Sequence, residues 1–132
     1  LSHAQINCIY KDHRGFIWFG TMSGLNRYDG YAIKIFRHSI HDSSSVNDDY
    51  IIKITEGPGG KLWVQTSVGF SIYDPLTEKF HNNTAAFLSS LSLPVYGLSD
   101  ILKSLNGYWF VYADSGIYYI EMNKTLLSVQ NR

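Results

Sequence analysis

Gly15-Phe16-Ile17-Trp18-Phe19-Gly20-Thr21-Met22-Ser23-Gly24-Leu25-Asn26-Arg27-Tyr28-Asp29 decides the fold, because the chain repeats it. Gly60-Lys61-Leu62-Trp63-Val64-Gln65-Thr66-Ser67-Val68-Gly69-Phe70-Ser71-Ile72-Tyr73-Asp74 is a second copy. Gly107-Tyr108-Trp109-Phe110-Val111-Tyr112-Ala113-Asp114-Ser115-Gly116-Ile117-Tyr118-Tyr119-Ile120-Glu121 is a degraded third. Two glycines stand nine residues apart in every copy, 15 to 24, 60 to 69 and 107 to 116, and the copies follow at intervals of 45 and 47 residues. A period of this length built from short strands indicates propeller blades or another stacked array.

Working outward, each copy has an apolar run ahead of its first glycine, with Ile9, Ile54 and Ile101 six residues before it. These runs predict first strands near Ile6–Tyr10, Ile51–Thr55 and Leu98–Leu102. Asp12-His13-Arg14-Gly15 and Gly57-Pro58-Gly59-Gly60 are turns. Ile17 to Thr21, rich in β-branched and aromatic residues, is a second strand. Met22-Ser23-Gly24 turns the chain, with the glycine supplying a positive φ or a close backbone approach. Leu25–Tyr28 and Ile33–Phe36 complete four strands, and Lys79–His81 and Leu126–Val129 take the fourth place in the later copies. The expected fold is all-β, a partial propeller of about three four-stranded antiparallel blades, at about 3–38, 49–82 and 95–130. Helix is expected only at Ala85–Leu91. Blades cover one another on both faces, so strands such as Ile17-Trp18-Phe19 need not alternate. Trp18, Trp63 and Phe110, each three residues after its glycine, are aligned as rings that fill the space between blades.

Composition narrows the function. The chain has 132 residues, 45% apolar and 15% aromatic, enough for an ordinary core. Eleven basic and eleven acidic residues cancel and form no basic stripe, which argues against nucleic acid. No apolar run approaches the roughly 20 residues that span a bilayer. Leu1-Ser2-His3 opens without an initiator methionine or a signal peptide, which implies a piece of a longer protein. Cys8 is alone and is expected to be partly buried and inert.

Candidate chemistry is sparse. His38 and His41, with Asp42, have the spacing of a loop metal site. Solvated loop histidines explain the same residues more simply, so no metal and no cofactor are expected. Gly57-Pro58-Gly59-Gly60 lacks the lysine, the hydroxyl residue and the helix of a phosphate-binding loop. Asp12 and Asp29 sit at turns, where a carboxylate bonds to its own backbone. Asn82-Asn83-Thr84 and Asn123-Lys124-Thr125 match the glycosylation triplet, which is common by chance. No catalytic constellation emerges.

The stretch from Ile6 to Thr21 followed by Gly24-Leu25-Asn26-Arg27-Tyr28-Asp29-Gly30-Tyr31 resembles the two-component regulator propeller repeat: strand, Asp-x-x-Gly, aromatic strand, Gly-Thr, then Gly-Leu and Tyr-Asp. The first copy carries Gly15, Trp18, Thr21, Gly24, Tyr28 and Asp29. The second keeps Gly60, Trp63, Thr66, Gly69, Tyr73 and Asp74, with Gly57 for the first aspartate and Gln65 for the second glycine. The third keeps Gly107 and Gly116, with Ala113 for threonine and Glu121 for aspartate. The resemblance implies a non-catalytic, periplasmic sensor fragment from the N-terminal part of a Bacteroides-type hybrid two-component system. There, two propellers of about seven blades precede a β-sandwich, a membrane helix, a histidine kinase and a DNA-binding regulator. It further implies that the parent senses a glycan breakdown product and controls polysaccharide use. Partners implied are the remaining blades and an oligosaccharide whose binding residues the sequence does not name. Two alternatives stand beside this reading: a protein-interaction scaffold, and a lyase-type propeller enzyme with histidine and metal at inner-strand ends. None of the five histidines falls in a first strand, which argues against the lyase. A three-blade piece is also expected to leave an outer face bare at each end and so to self-associate.

Overall fold

The computed structural model describes residues 1–122 and 130–131. Strands β1 (Ile6–Lys11), β2 (Ile17–Thr21), β3 (Gly24–Tyr28) and β4 (Ile33–Phe36) form one antiparallel sheet in chain order. Strands β5 (Ile51–Glu56), β6 (Leu62–Thr66), β7 (Gly69–Asp74) and β8 (Lys79–His81) form the second. Strands β9 (Leu98–Lys103), β10 (Gly107–Tyr112), β11 (Gly116–Glu121) and β12 (Gln130–Asn131) form the third. The fourth strand expected at Leu126–Val129 lies outside the described residues, as does the triplet at Asn123. Between the second and third sheets runs α1 (Thr84–Ser90), with Asn83 accepting from the Ala86 amide as its N-cap. The first strand of each sheet lies against the first strand of the next, so β1, β5 and β9 form an inner row.

Two cores fill the spaces between successive sheets. Trp18, Leu25 and Phe36 of the first sheet meet Ile54, Leu62, Val64 and Tyr73 of the second. Trp63 and Ile72 of the second meet Ile101, Tyr108, Phe110 and Ile120 of the third, closed at the rim by Leu88, Leu91 and Leu93. Strand β6 therefore sends alternate residues to opposite neighbours: Leu62 and Val64 back to the first sheet, Trp63 on to the third. A sheet covered on both faces explains the unbroken apolar runs.

Strand register corrects the alignment of the third copy. Ile9 pairs with Phe19, Ile54 with Val64 and Ile101 with Phe110. Phe110 thus stands where Phe19 and Val64 stand, and the residue equivalent to Trp18 and Trp63 is Trp109. Turn bonds agree: the Asp12, Gly57 and Ser104 amides donate to the carbonyls of Phe16, Lys61 and Gly107. Gly107 therefore corresponds to Phe16 and Lys61, not to Gly15 and Gly60. Those two turn glycines have φ of 89° and 72°, whereas Gly107 has no positive φ. Gly107 is small for another reason, since a Cβ there would strike the Ile120 carbonyl and the Tyr119 ring. The third turn is one residue shorter and the next hairpin one residue longer, so the nine-residue glycine spacing survives while everything between is shifted.

The recurring threonine fastens a corner. Thr21 Oγ1 donates to the Gly24 carbonyl at 2.9 Å, accepts from the Ser23 amide at 3.0 Å, and meets Ser2 Oγ at 2.8 Å. Thr66 repeats this with Gly69, Val68 and Asn47 Oδ1. Ser2 and Asn47 each lie four residues ahead of their blade's first strand, so the threonine ties the incoming chain to the β-turn. In the third blade register puts Tyr112, not Ala113, at this position. Its hydroxyl donates to the Pro94 carbonyl at 2.7 Å, again four residues ahead of the strand. A longer side chain does the same tethering.

Gly57 also has a physical reason. In the first blade Asp12 Oδ2 accepts from Trp18 Nε1 at 2.8 Å. In the second, the Trp63 ring lies directly on Gly57, where a Cβ would run into Cδ1 and Nε1. Gly57→Ala is expected to destabilise by about 1–3 kcal/mol through this overpacking, measured by urea denaturation. A neutral substitution would mean that the indole is free to move aside.

Candidate functional site

Among the described residues a polar junction lies where the ends of the inner strands meet, centred on Glu56. This residue closes β5, and its side chain is 6% exposed. Its carboxylate accepts from Tyr10 Oη of the first blade at 3.0 Å and from Lys103 Nζ of the third at 3.1 Å. His13 Nδ1, from the β1–β2 turn, also bonds to it. Three blades therefore converge on one carboxylate. Burial pushes its pKa up, but the hydrogen bonds from His13, Lys103 and Tyr10 outweigh burial and hold it below the usual range. The Tyr10 phenol is pushed up to about 12, first by burial and then by the Glu56 charge. Tyr108 is raised by the same two causes. Three residues earlier on β5, Lys53 Nζ pairs with Asp100 Oδ1 at 2.6 Å, again across the second and third blades.

Beside this junction an open groove of about 570 Å³ runs along the inner strands, lined by Tyr10, Lys53, Thr55, Lys103, Ser104 and Leu105 among others. It presents hydroxyls and two ammonium groups on an apolar floor of Ile54, Ile101 and Leu102. The lining mixes hydrogen-bonding groups with apolar surface. It is poorly suited to proton transfer, because Glu56 is held ionised with its oxygens already occupied.

The recurring positions read from the sequence lie elsewhere and hold the blades together. Asp29 accepts from the Tyr31 and Ala32 amides at 2.8 and 2.9 Å, closing the β3–β4 turn, and those bonds lower its pKa. Asp74 accepts from the Leu76 amide at 2.9 Å in the equivalent turn. Tyr28 Oη donates to the Gly30 carbonyl, and Tyr73 Oη accepts from Arg27 at 3.0 Å across the blade interface. Gly24, Gly69 and Gly116 all have positive φ at their hairpins. Cys8 is half-buried, its thiol raised by burial, and packs over Gly20.

The structure does not bring His38, His41 and Asp42 together as a ligand set. His38 Nδ1 lies 2.9 Å from the Val46 carbonyl, and Asp42 bonds to the amide and hydroxyl of Ser44. Among the described residues no group of three His, Cys, Asp or Glu side chains is placed to hold a metal ion. His41 is exposed, and His41→Ala is expected to change stability by less than about 0.5 kcal/mol. A larger loss in thermal or urea unfolding would show an unrecognised role.

Sequence reasoning missed Glu56, Tyr10, His13 and Lys103. The signal was present: Lys11, Glu56 and Lys103 each follow the recurrent isoleucine by two residues, with charge alternating from blade to blade.

With this geometry in view, comparison with known proteins gives consistent relatives. Residues 1–23 match the family model of the two component regulator propeller. Histidine kinase P4 of Formosa agariphila is 40% identical over 47 residues, covering 36% of this chain and 3% of that protein. The extracellular domain of a hybrid two component system from B. thetaiotaomicron has a TM-score of 0.62 at 21% identity, over 100% of this chain and 18% of that one. The extracellular domain of a one component system from the same bacterium has a TM-score of 0.57 at 22% identity, over 94% of this chain and 17% of that one. The chain thus spans less than a fifth of these solved structures and shares their all-β, propeller-like fold. Among the described residues no helix is long and apolar enough to cross a membrane.

Proposed function

We propose that this chain, whose residues 1–23 match the two component regulator propeller model, is part of the extracytoplasmic sensor region of a hybrid two-component signalling protein. The observation that carries this reading is the match of the first repeat to the regulator propeller family, on a chain whose whole length superposes on the extracellular domain of such a system. The match over 47 residues to a histidine kinase points the same way. In this reading the fragment lies in the periplasm, recognises rather than catalyses, and passes occupancy on through the blades of its parent.

For the ligand, we favour an oligosaccharide released by polysaccharide breakdown. The support is chemical: the inner groove offers Tyr10, Thr55, Ser104, Lys53 and Lys103 as hydrogen-bonding groups on an apolar floor, the mixture that sugar hydroxyls and sugar faces require. The test is calorimetric titration of the whole sensor region of the parent with a panel of oligosaccharides cut from plant and host polysaccharides. One saccharide class should bind, and Lys53→Ala should weaken it. No binding across the panel, with a captured protein ligand instead, would replace this reading by an interaction scaffold.

A further inference from the structure

The two blade interfaces inside the chain share a plan and differ in charge. Trp18 pairs with Arg27, and Trp63, in the equivalent place, pairs with Ile72. Ile72 is fully buried in the second interface, as an apolar residue between two sheets should be. Arg27 puts a guanidinium at the same position of the first. The turn ahead differs in the same sense. The Asp12 and Gly57 amides close equivalent turns, so Arg14 stands where the second blade has Gly59. The first interface thus gains two cations at positions that are neutral in its counterpart.

Burying a charge between sheets costs stability unless its partners are well placed. Arg27 is firmly positioned. Its side chain is 15% exposed, and its guanidinium lies over the rings of Phe16, Trp18 and Phe36 at 5.2, 5.9 and 5.6 Å. Nη1 donates to Tyr73 Oη at 3.0 Å and to Glu78 Oε2 at 3.2 Å. Glu78, which Lys34 also engages, has a φ of 59°. That left-handed backbone is unfavourable for a residue with a Cβ, and here it accompanies a carboxylate delivered to Arg27.

This arrangement borders a hollow of about 200 Å³ between the first and second blades. Arg14 and Arg27 line it, with Asp12 and Glu78 as its acidic groups and Phe16 and Pro75 as apolar wall. It shares no lining residue with the inner groove, and both of its walls lie within the chain. The two carboxylates are already engaged. Asp12 accepts from the Arg14 and Phe16 amides and from Trp18 Nε1, and Glu78 accepts from Arg27 and Lys34. The arginines have donors to spare. Among the described residues the hydrogen bonds of Arg27 leave from Nη1 alone, and the exposed Arg14 side chain is paired with no carboxylate. The charge of Arg14 still reaches the site. Burial raises the Tyr73 phenol and Glu78 adds to this, while Arg27 and Arg14 pull it back.

We propose that this hollow binds the carboxylate of a small organic acid, held by the unspent edge of the Arg27 guanidinium and closed over by Arg14. A guanidinium offers five donors in a planar fork that matches a carboxylate. Arg14, Arg27 and Lys34 outnumber Asp12 and Glu78 by one, so one negative charge leaves the site neutral. Phe16 and Pro75 provide apolar surface for the carbon body of the acid. Two sources share this chemistry, an acidic sugar unit and a free short-chain acid.

Calorimetric titration of the chain with glucuronate, lactate, glucose and inorganic phosphate tests this. Glucuronate or lactate should bind and glucose should not, and the tighter of the two acids identifies the source. Arg27→Ile installs the residue of the second interface. Its urea midpoint should match or exceed the parent's, while carboxylate binding falls about tenfold or more. Arg27→Lys keeps the charge but not the fork, and should bind more weakly than the parent. Arg14→Ala, at an exposed turn position, should keep the fold and also weaken binding, so it carries the test even where Arg27→Ile unfolds. Absence of binding by both acids would overturn the proposal. So would phosphate or glucose bound as tightly as the better acid, or binding that Arg14→Ala and a folded Arg27→Ile leave unchanged.

Discussion

Trp63→Ala is expected to lower the unfolding free energy by about 3–5 kcal/mol. The ring lies between the second and third blades and meets Phe70, Phe87 and Phe110 edge-on at 6.0, 5.4 and 5.7 Å. Such aromatic pairs add about 0.5–1.5 kcal/mol each beyond the area they bury. Truncation opens a cavity that the surrounding sheets cannot collapse, because their strands are fixed by ladders on both sides. The same indole has a weakness. Trp63 Nε1 is buried without a partner, whereas Trp18 Nε1 is satisfied by Asp12. Trp63→Phe removes an unmet donor and is expected to cost within about 1 kcal/mol, while Trp18→Phe breaks a bond to a carboxylate and costs about 1.5–3 kcal/mol. Urea denaturation of the three variants checks all of this. Equal losses for the two phenylalanine variants would mean that the Asp12 bond adds nothing.

Glu56→Gln is expected to destabilise the chain at neutral pH by about 1–3 kcal/mol, and to do so less and less in acid. The replacement keeps the shape but removes the charge that His13, Lys103 and Tyr10 solvate. Lys103 is a third exposed and His13 about half, which keeps the loss below that of a fully buried pair. The sign follows from the lowered folded pKa. Between that value and the ordinary carboxylate value of about 4.3, the unfolded chain binds more protons than the folded one. Stability therefore rises with pH through this window. It is fully present above the ordinary value and is lost as pH falls through the folded one. Denaturation at successive pH values from neutral to acid should show parent and variant converging in acid. A constant difference would mean that the charge of Glu56 is not what joins the blades.

Much of the fold is legible in the sequence because its signals are local. First strands, turns and the short helix follow from apolar runs, glycines and the Ala85–Leu91 stretch, each acting within a few positions. Trp18 and Trp63 recur because each blade must fill the same space. The third blade deceives for a physical reason. Its first turn lost a residue and its hairpin gained one, so Gly107 and Gly116 keep their distance while Phe110 takes the place of Phe19 rather than of Trp18. Only pairing between strands reveals such compensation. The Glu56 junction is hidden for another reason: its partners lie 43 to 47 positions away in the chain, and one blade of the three contributes only the turn residue His13 and the strand residue Tyr10. The threonine corners are intermediate. Thr21 and Thr66 are visible as a motif, but the residues they fasten, Ser2 and Asn47, differ in type, and Tyr112 does the work from a longer reach.

Three blades follow one another with Trp18, Trp63 and Trp109 in equivalent places. Nuclear Overhauser contacts from the three indoles, resolved by selective labelling of the aromatic rings, test it most directly. Contacts are expected from Trp18 to the Tyr73 ring and from Trp63 to the Phe110 ring, 5.0 and 5.7 Å apart at their centres, and from Trp109 to Tyr119 within its own blade. A contact between Trp63 and Trp109, with Phe110 turned to the open face of the third blade, would contradict it.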